Sequence, residues 1–155
     1  MRILVLSDSH GNVENMRRAV LTAKAEMIFH LGDCWADAVK LGAMFPGLPI
    51  EQVAGNCDYR PGAPLEKILD IGGKRVLICH GHAYGVKDGL LNAGYAAEEN
   101  RADVFLFGHT HRRFLEKRGD TLFMNPGSIG DWRSPSFATL TIENGETLGA
   151  LKELE

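Results

Sequence analysis

The sequence has few cysteines, no long apolar stretch and no excess of positive charge. Three cysteines in 155 residues, an odd number, argue against a disulfide framework and make the reducing cytoplasm the default location. The longest early apolar run, Ile3–Leu6, is too short for a signal-peptide core or a membrane span, so no membrane association is expected. Seventeen Lys and Arg stand against twenty Asp and Glu, a net charge of −3, so no nucleic-acid footprint is evident. There is no Walker-type GxxxxGK[ST] loop, no repeat at solenoid period and no low-complexity tract. What remains is a small globular protein, read as one domain over residues 1–155. Homo-oligomerisation is compatible with all of this.

One pattern does recur, six times. A short apolar, β-branched run ends abruptly in small or polar residues: RILVLSDSHGN, EMIFHLGDC, PIEQVAGNCD, KRVLICHGH, DVFLFGHTH and TLFMNPGS. Such runs, bounded by Gly, Asn or Asp, read as buried strands, and their polar tails then lie at the C-terminal strand ends where α/β sheets bind ligands. Helices fit between the early strands. Asn12 caps one over 13–24, with Val13, Met16, Val20 and Ala23 on its apolar face. A second spans 35–44 through Trp35, Val39 and Met44, and a third about 88–100 with Leu91 and Tyr95. Turns at Gly119-Asp120 and Asn144-Gly145 mark hairpins in the last third. Helix-alternating strands followed by hairpins predict an α/β layered sandwich, not a doubly wound sheet.

The polar tails carry Asp8, His10, Asp33, Asn56, His80, His109 and His111. If the tails stay extended, residues i and i+2 face one way, so Asp8/His10 and His109/His111 each present two donors together. A lone Asp-x-His after a strand is usually a turn or cap, and Gly-Asp is usually a turn. All the tails together, each at a strand end, are hard to attribute to packing. The donors are oxygen and nitrogen only, with four imidazoles. That suits Mn²⁺, Fe, Co²⁺, Ni²⁺ or Zn²⁺ better than Ca²⁺ or Mg²⁺. Seven donors exceed one tetrahedral site and suit two ions about 3.5–4 Å apart. Two carboxylates against two divalent cations leave the centre positive, as an anionic, hydrolysable substrate requires.

The motifs D8-x-H10, G32-D33, G55-N56, H80-G81-H82 and G108-H109-x-H111 resemble, in order and spacing, those of the calcineurin-like metallophosphoesterase superfamily. The similarity covers about residues 3–130 and is closest to the small, single-domain prokaryotic phosphodiesterases. It implies two packed mixed β-sheets flanked by helices. It implies one metal held by Asp8, His10, Asp33 and His111 and a second by Asp33, Asn56, His80 and His109, with Asp33 bridging. Manganese is the first choice, with nickel, zinc, iron and cobalt as alternatives. The implied chemistry is attack of a metal-bound hydroxide, held by Asp33, on the phosphorus of a small phosphodiester.

Many superfamily members carry histidine, a leaving-group acid, where this chain has Cys57. Cys57 therefore reads as a missing general acid and not as a nucleophile. Cys34 and Cys79 read as small packed hydrophobes facing away from the metals, and His30 as a buried, hydrogen-bonded histidine. Cys57, His82 and Asp58 either support the ligands or touch substrate; Asp58 could equally cap a turn. Arg60, Arg112 and Arg113 are phosphate contacts or solvated surface cations, and the 125–128 NPGS stretch offers backbone amides. Two other functions fit the same fold: a protein-interaction scaffold like the retromer subunit, with a vestigial metal site, and a phosphomonoesterase. The full donor set favours an enzyme, and the residue at position 57 favours diesters.

Overall fold

The computed structural model describes residues 1–59 and 62–155; Arg60 lies outside them. The first half runs β1 (Arg2–Leu6), α1 (Val13–Ala23), β2 (Met27–His30), α2 (Trp35–Met44), β3 (Ile50–Gln52), β4 (Glu66–Ile71) and β5 (Lys74–Cys79). Then follow α3 (Leu91–Glu99), β6 (Val104–Leu106), β7 (Arg113–Arg118), β8 (Thr121–Pro126), β9 (Ser136–Glu143) and β10 (Glu146–Glu153). The strands form two five-stranded sheets, β10-β9-β1-β2-β3 and β4-β5-β6-β8-β7. Each is mixed: β1-β2-β3 and β5-β6-β8 are parallel, while β9, β10, β4 and β7 pair antiparallel. The layered sandwich expected from the element order is the architecture found.

Apolar runs continuous along a strand mean that both sheet faces are covered. In β1, Ile3 and Val5 join Phe29, Leu31, Val76, Ile78, Val104 and Leu106 between the sheets. Their neighbours Leu4 and Leu6 face outward, against Met16 and Val20 of α1 and Leu41 of α2. On the other sheet, Leu77, Phe105 and Phe123 pack against Ala93, Ala96 and Ala97 of α3. Each of the six runs ends as expected in a loop at the C-terminal edge of its sheet, because the three in each sheet are mutually parallel.

α1 begins as expected, with the Asn12 side chain accepting from the Asn15 N–H at 3.0 Å. α2 has the expected span but not the expected face. Val39 and Met44 are half exposed, and the inward stripe is Asp37, Ala38 and Leu41. The reason is polar: the Asp37 carboxylate is turned in to accept from the Ser9 hydroxyl and the Gly11 N–H, both at 2.7 Å. The third helix starts later than expected, at Leu91, after a 3₁₀ turn over Val86–Asp88. β4 is absent from the sequence reading because its run, EKILDI, has no polar tail; the Gly72-Gly73 turn, with both φ positive, was its signal. No helix among the described residues is long and apolar enough to cross a membrane.

Candidate metal centre

Five of the proposed ligands do not continue their strands. Asp8, His10, Asp33, His109 and His111 have φ of 54°, 44°, 61°, 69° and 59°. The extended geometry assumed for the paired donors is therefore wrong. Left-handed turns at each residue, uncommon for side-chain-bearing residues, fold the tails back on the sheet edge and aim the donors inward. Two glycines make this close approach feasible. A Cβ at Gly55 would fall on Asp33 Oδ1, and one at Gly108 would fall on Ser7 Oγ.

Asp8 is fully buried and divided between two tasks. Its Oδ2 accepts from the Ser7 hydroxyl (2.5 Å) and the His109 N–H (3.1 Å). Its Oδ1 faces three imidazole nitrogens: His111 Nε2 at 3.1 Å, His80 Nε2 at 3.7 Å and His10 Nε2 at 3.8 Å. Asp33 Oδ2 lies 3.5 Å from His80 Nε2 and 3.8 Å from His10 Nε2, while its Oδ1 accepts from the Cys57 N–H at 3.0 Å. His109 Nδ1 completes the cluster, 3.2 Å from His80 Nε2. Two overlapping donor groups result, Asp8/His10/His111 and Asp8/Asp33/His80, each with its ligand atoms within 4.8 Å of one another.

Burial alone would raise the Asp8 carboxyl, but the hydrogen bond from His111 and the charge of His80 outweigh it and hold it low. Asp33 is likewise desolvated, yet His80 and the Cys57 N–H hold it far below the carboxylate range. Burial would lower His80, but Asp33 and Asp8 raise it, and the Asp8 hydrogen bond raises His111. Desolvation lowers His109 and His82, with His80 adding to both and Lys87 to His109. Lys87 acts on His111 in the same sense. His80 Nδ1–H donates to the Leu31 carbonyl at 2.8 Å, which turns Nε2 toward the two carboxylates. Two carboxylates converging on one buried point demand positive charge there, which the imidazolium protons supply in the metal-free chain. A divalent cation fits that demand, and the mixed oxygen and nitrogen donors suit a transition metal.

Residues 1–145 match the calcineurin-like phosphoesterase superfamily domain. The probable metallophosphoesterase YsnB of Bacillus subtilis (strain 168) is 39% identical over 150 residues, spanning 93% of this chain and 86% of that one. The chain belongs to the calcineurin-like phosphoesterase superfamily. Another superfamily relative, a phosphodiesterase of Methanocaldococcus jannaschii, is 28% identical across 94% of this chain and 96% of its own length. By fold, Vps29 of Entamoeba histolytica, solved in complex with Zn²⁺, covers 100% of both chains with a TM-score of 0.78 at 20% identity.

Within this superfamily fold, six of the seven proposed ligands gather around the two carboxylates. Asn56 stands apart: it is exposed, and its amide donates to Cys57 Sγ at 3.6 Å. Asp58 has the role left open for it. Its carboxylate accepts from the Asp33, Cys34, Trp35 and Gly55 N–H groups at 2.7–3.0 Å, locking the Asp33 turn, the start of α2 and the 55–58 turn together. His82 sits beside the cluster, 5.5 Å from the His80 ring and 6.1 Å from that of His109, with its Nδ1 buried and unpaired. Cys79 is buried as expected, but Cys34 is only half-buried, because it opens α2 in a left-handed conformation.

Sequence reasoning missed the braces behind the proposed ligands. Ser9 donates to Asp37, so His30 Nε2–H donates to Ser9 Oγ (3.0 Å) and His30 Nδ1 accepts from the Gly32 N–H (3.3 Å). The NPGS stretch acts through side chains instead of amides alone. Asn125 Nδ2 donates to the Gly108 carbonyl and to Thr110 Oγ1, both at 3.0 Å, and Ser128 Oγ donates to the Asp8 carbonyl at 2.8 Å. The available signal was polar residues inside otherwise apolar faces, as at Asp37.

Proposed function

We propose that this protein is a dinuclear, metal-dependent phosphodiesterase acting on small phosphodiesters. The observation that carries this reading is the pair of donor groups sharing Asp8, with Asp33 reaching the histidines of both. His10 and His111 serve one ion and His80 and His109 the other, with Asn56 reaching the second by rotating away from Cys57. Bound divalent ions supply Lewis-acid activation of water and of the phosphoryl oxygens. The chain's own work is positional. Asp8 and Asp33 balance charge, His80 is fixed by Leu31, and Asp58 holds the Asp33 turn in place.

Diesters are favoured over monoesters because the looser monoester transition state leaves more charge on the departing alkoxide, and no imidazole stands at position 57 to protonate it. The names of the relatives agree with this, since one is a phosphodiesterase. Vps29 shares the fold, so a scaffold with an idle centre is the second reading. The test is turnover by the chain reconstituted with Mn²⁺, Ni²⁺ or Zn²⁺ against diesters, monoesters and cyclic nucleotides, with metal content measured alongside. Diester hydrolysis that Asp33→Ala abolishes together with bound metal supports the proposal. Full activity in Asp33→Ala would refute the two-metal centre, and two bound metals without turnover of any ester would favour the scaffold.

A further inference from the structure

A concave surface opens beside the proposed centre. It is a cleft of about 740 Å³, within the roughly 300–1,000 Å³ typical of small-molecule sites and far larger than a phosphate needs. Thr110, between the ligands His109 and His111, lies on its wall. Val86, also in the wall, packs so closely on Gly81 that a Cβ there would lie 2.9 Å from Val86 Cγ2, one residue from His80. The cleft is thus continuous with the loops that carry three of the histidines.

Its lining has two characters. Val86, Leu90, Phe107 and Phe114 supply an apolar wall, with the rings of Phe107 and Phe114 6.0 Å apart. Around them stand Lys87, Arg112, Arg113 and Arg118, and among the described residues no Asp or Glu lines the cleft. Arg113 and Arg118 are already engaged, with Glu153 at 3.8 Å and Glu116 at 3.1 Å, and Arg118 also lies over the Phe114 ring at 5.6 Å. Lys87 and Arg112 have no carboxylate within ion-pair distance among the described residues. In a chain of net charge −3, two uncompensated cations beside aromatic rings are a local concentration of positive field, suited to a flat anion.

We propose that this cleft receives the non-scissile arm of the diester and selects an arm pairing a flat ring with an additional negative charge, the chemistry of a nucleotide. The proposal rests on the diesterase reading above. Its test uses p-nitrophenyl diesters that share a leaving group and differ in the other arm: methyl, thymidine 5′-linked, and the same thymidine bearing a 3′-phosphate. In the metal-loaded protein kcat/KM should rise in that order, by about tenfold or more overall. The double variant Lys87→Ala/Arg112→Ala should lower kcat/KM for the 3′-phosphorylated arm about tenfold more than for the methyl arm. Equal rates across the arms, or equal losses in the variant, would overturn the assignment.

A second measurement does not depend on turnover. Thymidine 3′,5′-bisphosphate is titrated into the full chain loaded with Zn²⁺, and backbone amide shifts are followed. Shifts at residues 86–90 and 112–114 that the double variant loses support the cleft; shifts there that survive the variant, or none there, refute it. If no diester is hydrolysed, the proposed function fails, and this titration alone decides the cleft.

Discussion

Cys57 lies at the tip of the 55–58 turn, exposed, with its backbone N–H on Asp33 and its thiol beside the Asn56 amide. Partial desolvation and the Asp33 carboxylate push the thiol up, the opposite of what an activated nucleophile needs. The bond to Asp33 from the backbone N–H survives truncation of the side chain, so Cys57→Ala should retain most activity toward activated diesters. General acid catalysis is worth about 10²–10⁴-fold where geometry permits. Cys57→His should therefore help alkyl leaving groups more than nitrophenyl ones and flatten the leaving-group dependence of kcat/KM. A Cys57→Ala protein that keeps its metals and loses all turnover would make the thiol a working group. His30 gives a pH prediction at the same scale. Burial lowers it from 6.5 to about 4, so the folded state keeps it neutral while the unfolded chain takes up a proton near pH 6.5. Its contribution is complete above pH 6.5 and is lost as pH falls toward 4, at about 1.4 kcal/mol per pH unit or roughly 3 kcal/mol in all. Urea midpoints should drop across that window, and His30→Gln should shallow the drop.

α2 and the 55–58 turn form one unit through Asp58. The helix opens on Cys34 with no side-chain cap of its own, and the Asp58 carboxylate, from a different loop, accepts instead from the Cys34 and Trp35 N–H groups at the helix start. Its negative charge also sits at the positive end of the helix. Asp58→Asn has the same shape but replaces one acceptor oxygen by an NH₂, which would face two N–H donors. Each donor left unpaired costs about 1–3 kcal/mol, so chemical denaturation should show a loss of about 2 kcal/mol or more. Metal affinity should fall too, because the Asp33 turn is released. Unchanged stability and metal content in Asp58→Asn would show that the clamp is dispensable.

Across the molecule, the centre joins loops from both sheets: Asp8, His10 and Asp33 follow β1 and β2, while His80, His109 and His111 follow β5 and β6. A cation held there would tie the two sheets together at one edge and would favour the folded chain. At a hundredfold excess over Kd this stabilises by about 2.7 kcal/mol, on the order of 5–10 °C in Tm for a chain of this size. Mn²⁺, Ni²⁺ or Zn²⁺ should give this rise and Mg²⁺ a smaller one, as calorimetry with and without chelator would read. Identical melting in every metal would count against the centre. The periodic part of the fold is legible in local sequence: six apolar runs long enough only for buried strands, the Asn12 cap, the Asn144-Gly145 turn, and the donors at the strand ends. Those follow from local chemistry, since a run of β-branched residues or an Asn-Gly pair has few low-energy backbones. The inward face of α2, the left-handed turns that aim the proposed ligands, the Asp58 clamp and the cationic cleft arise only from packing. Each of these joins residues from loops far apart in the chain, so its energy exists only after the two sheets have packed.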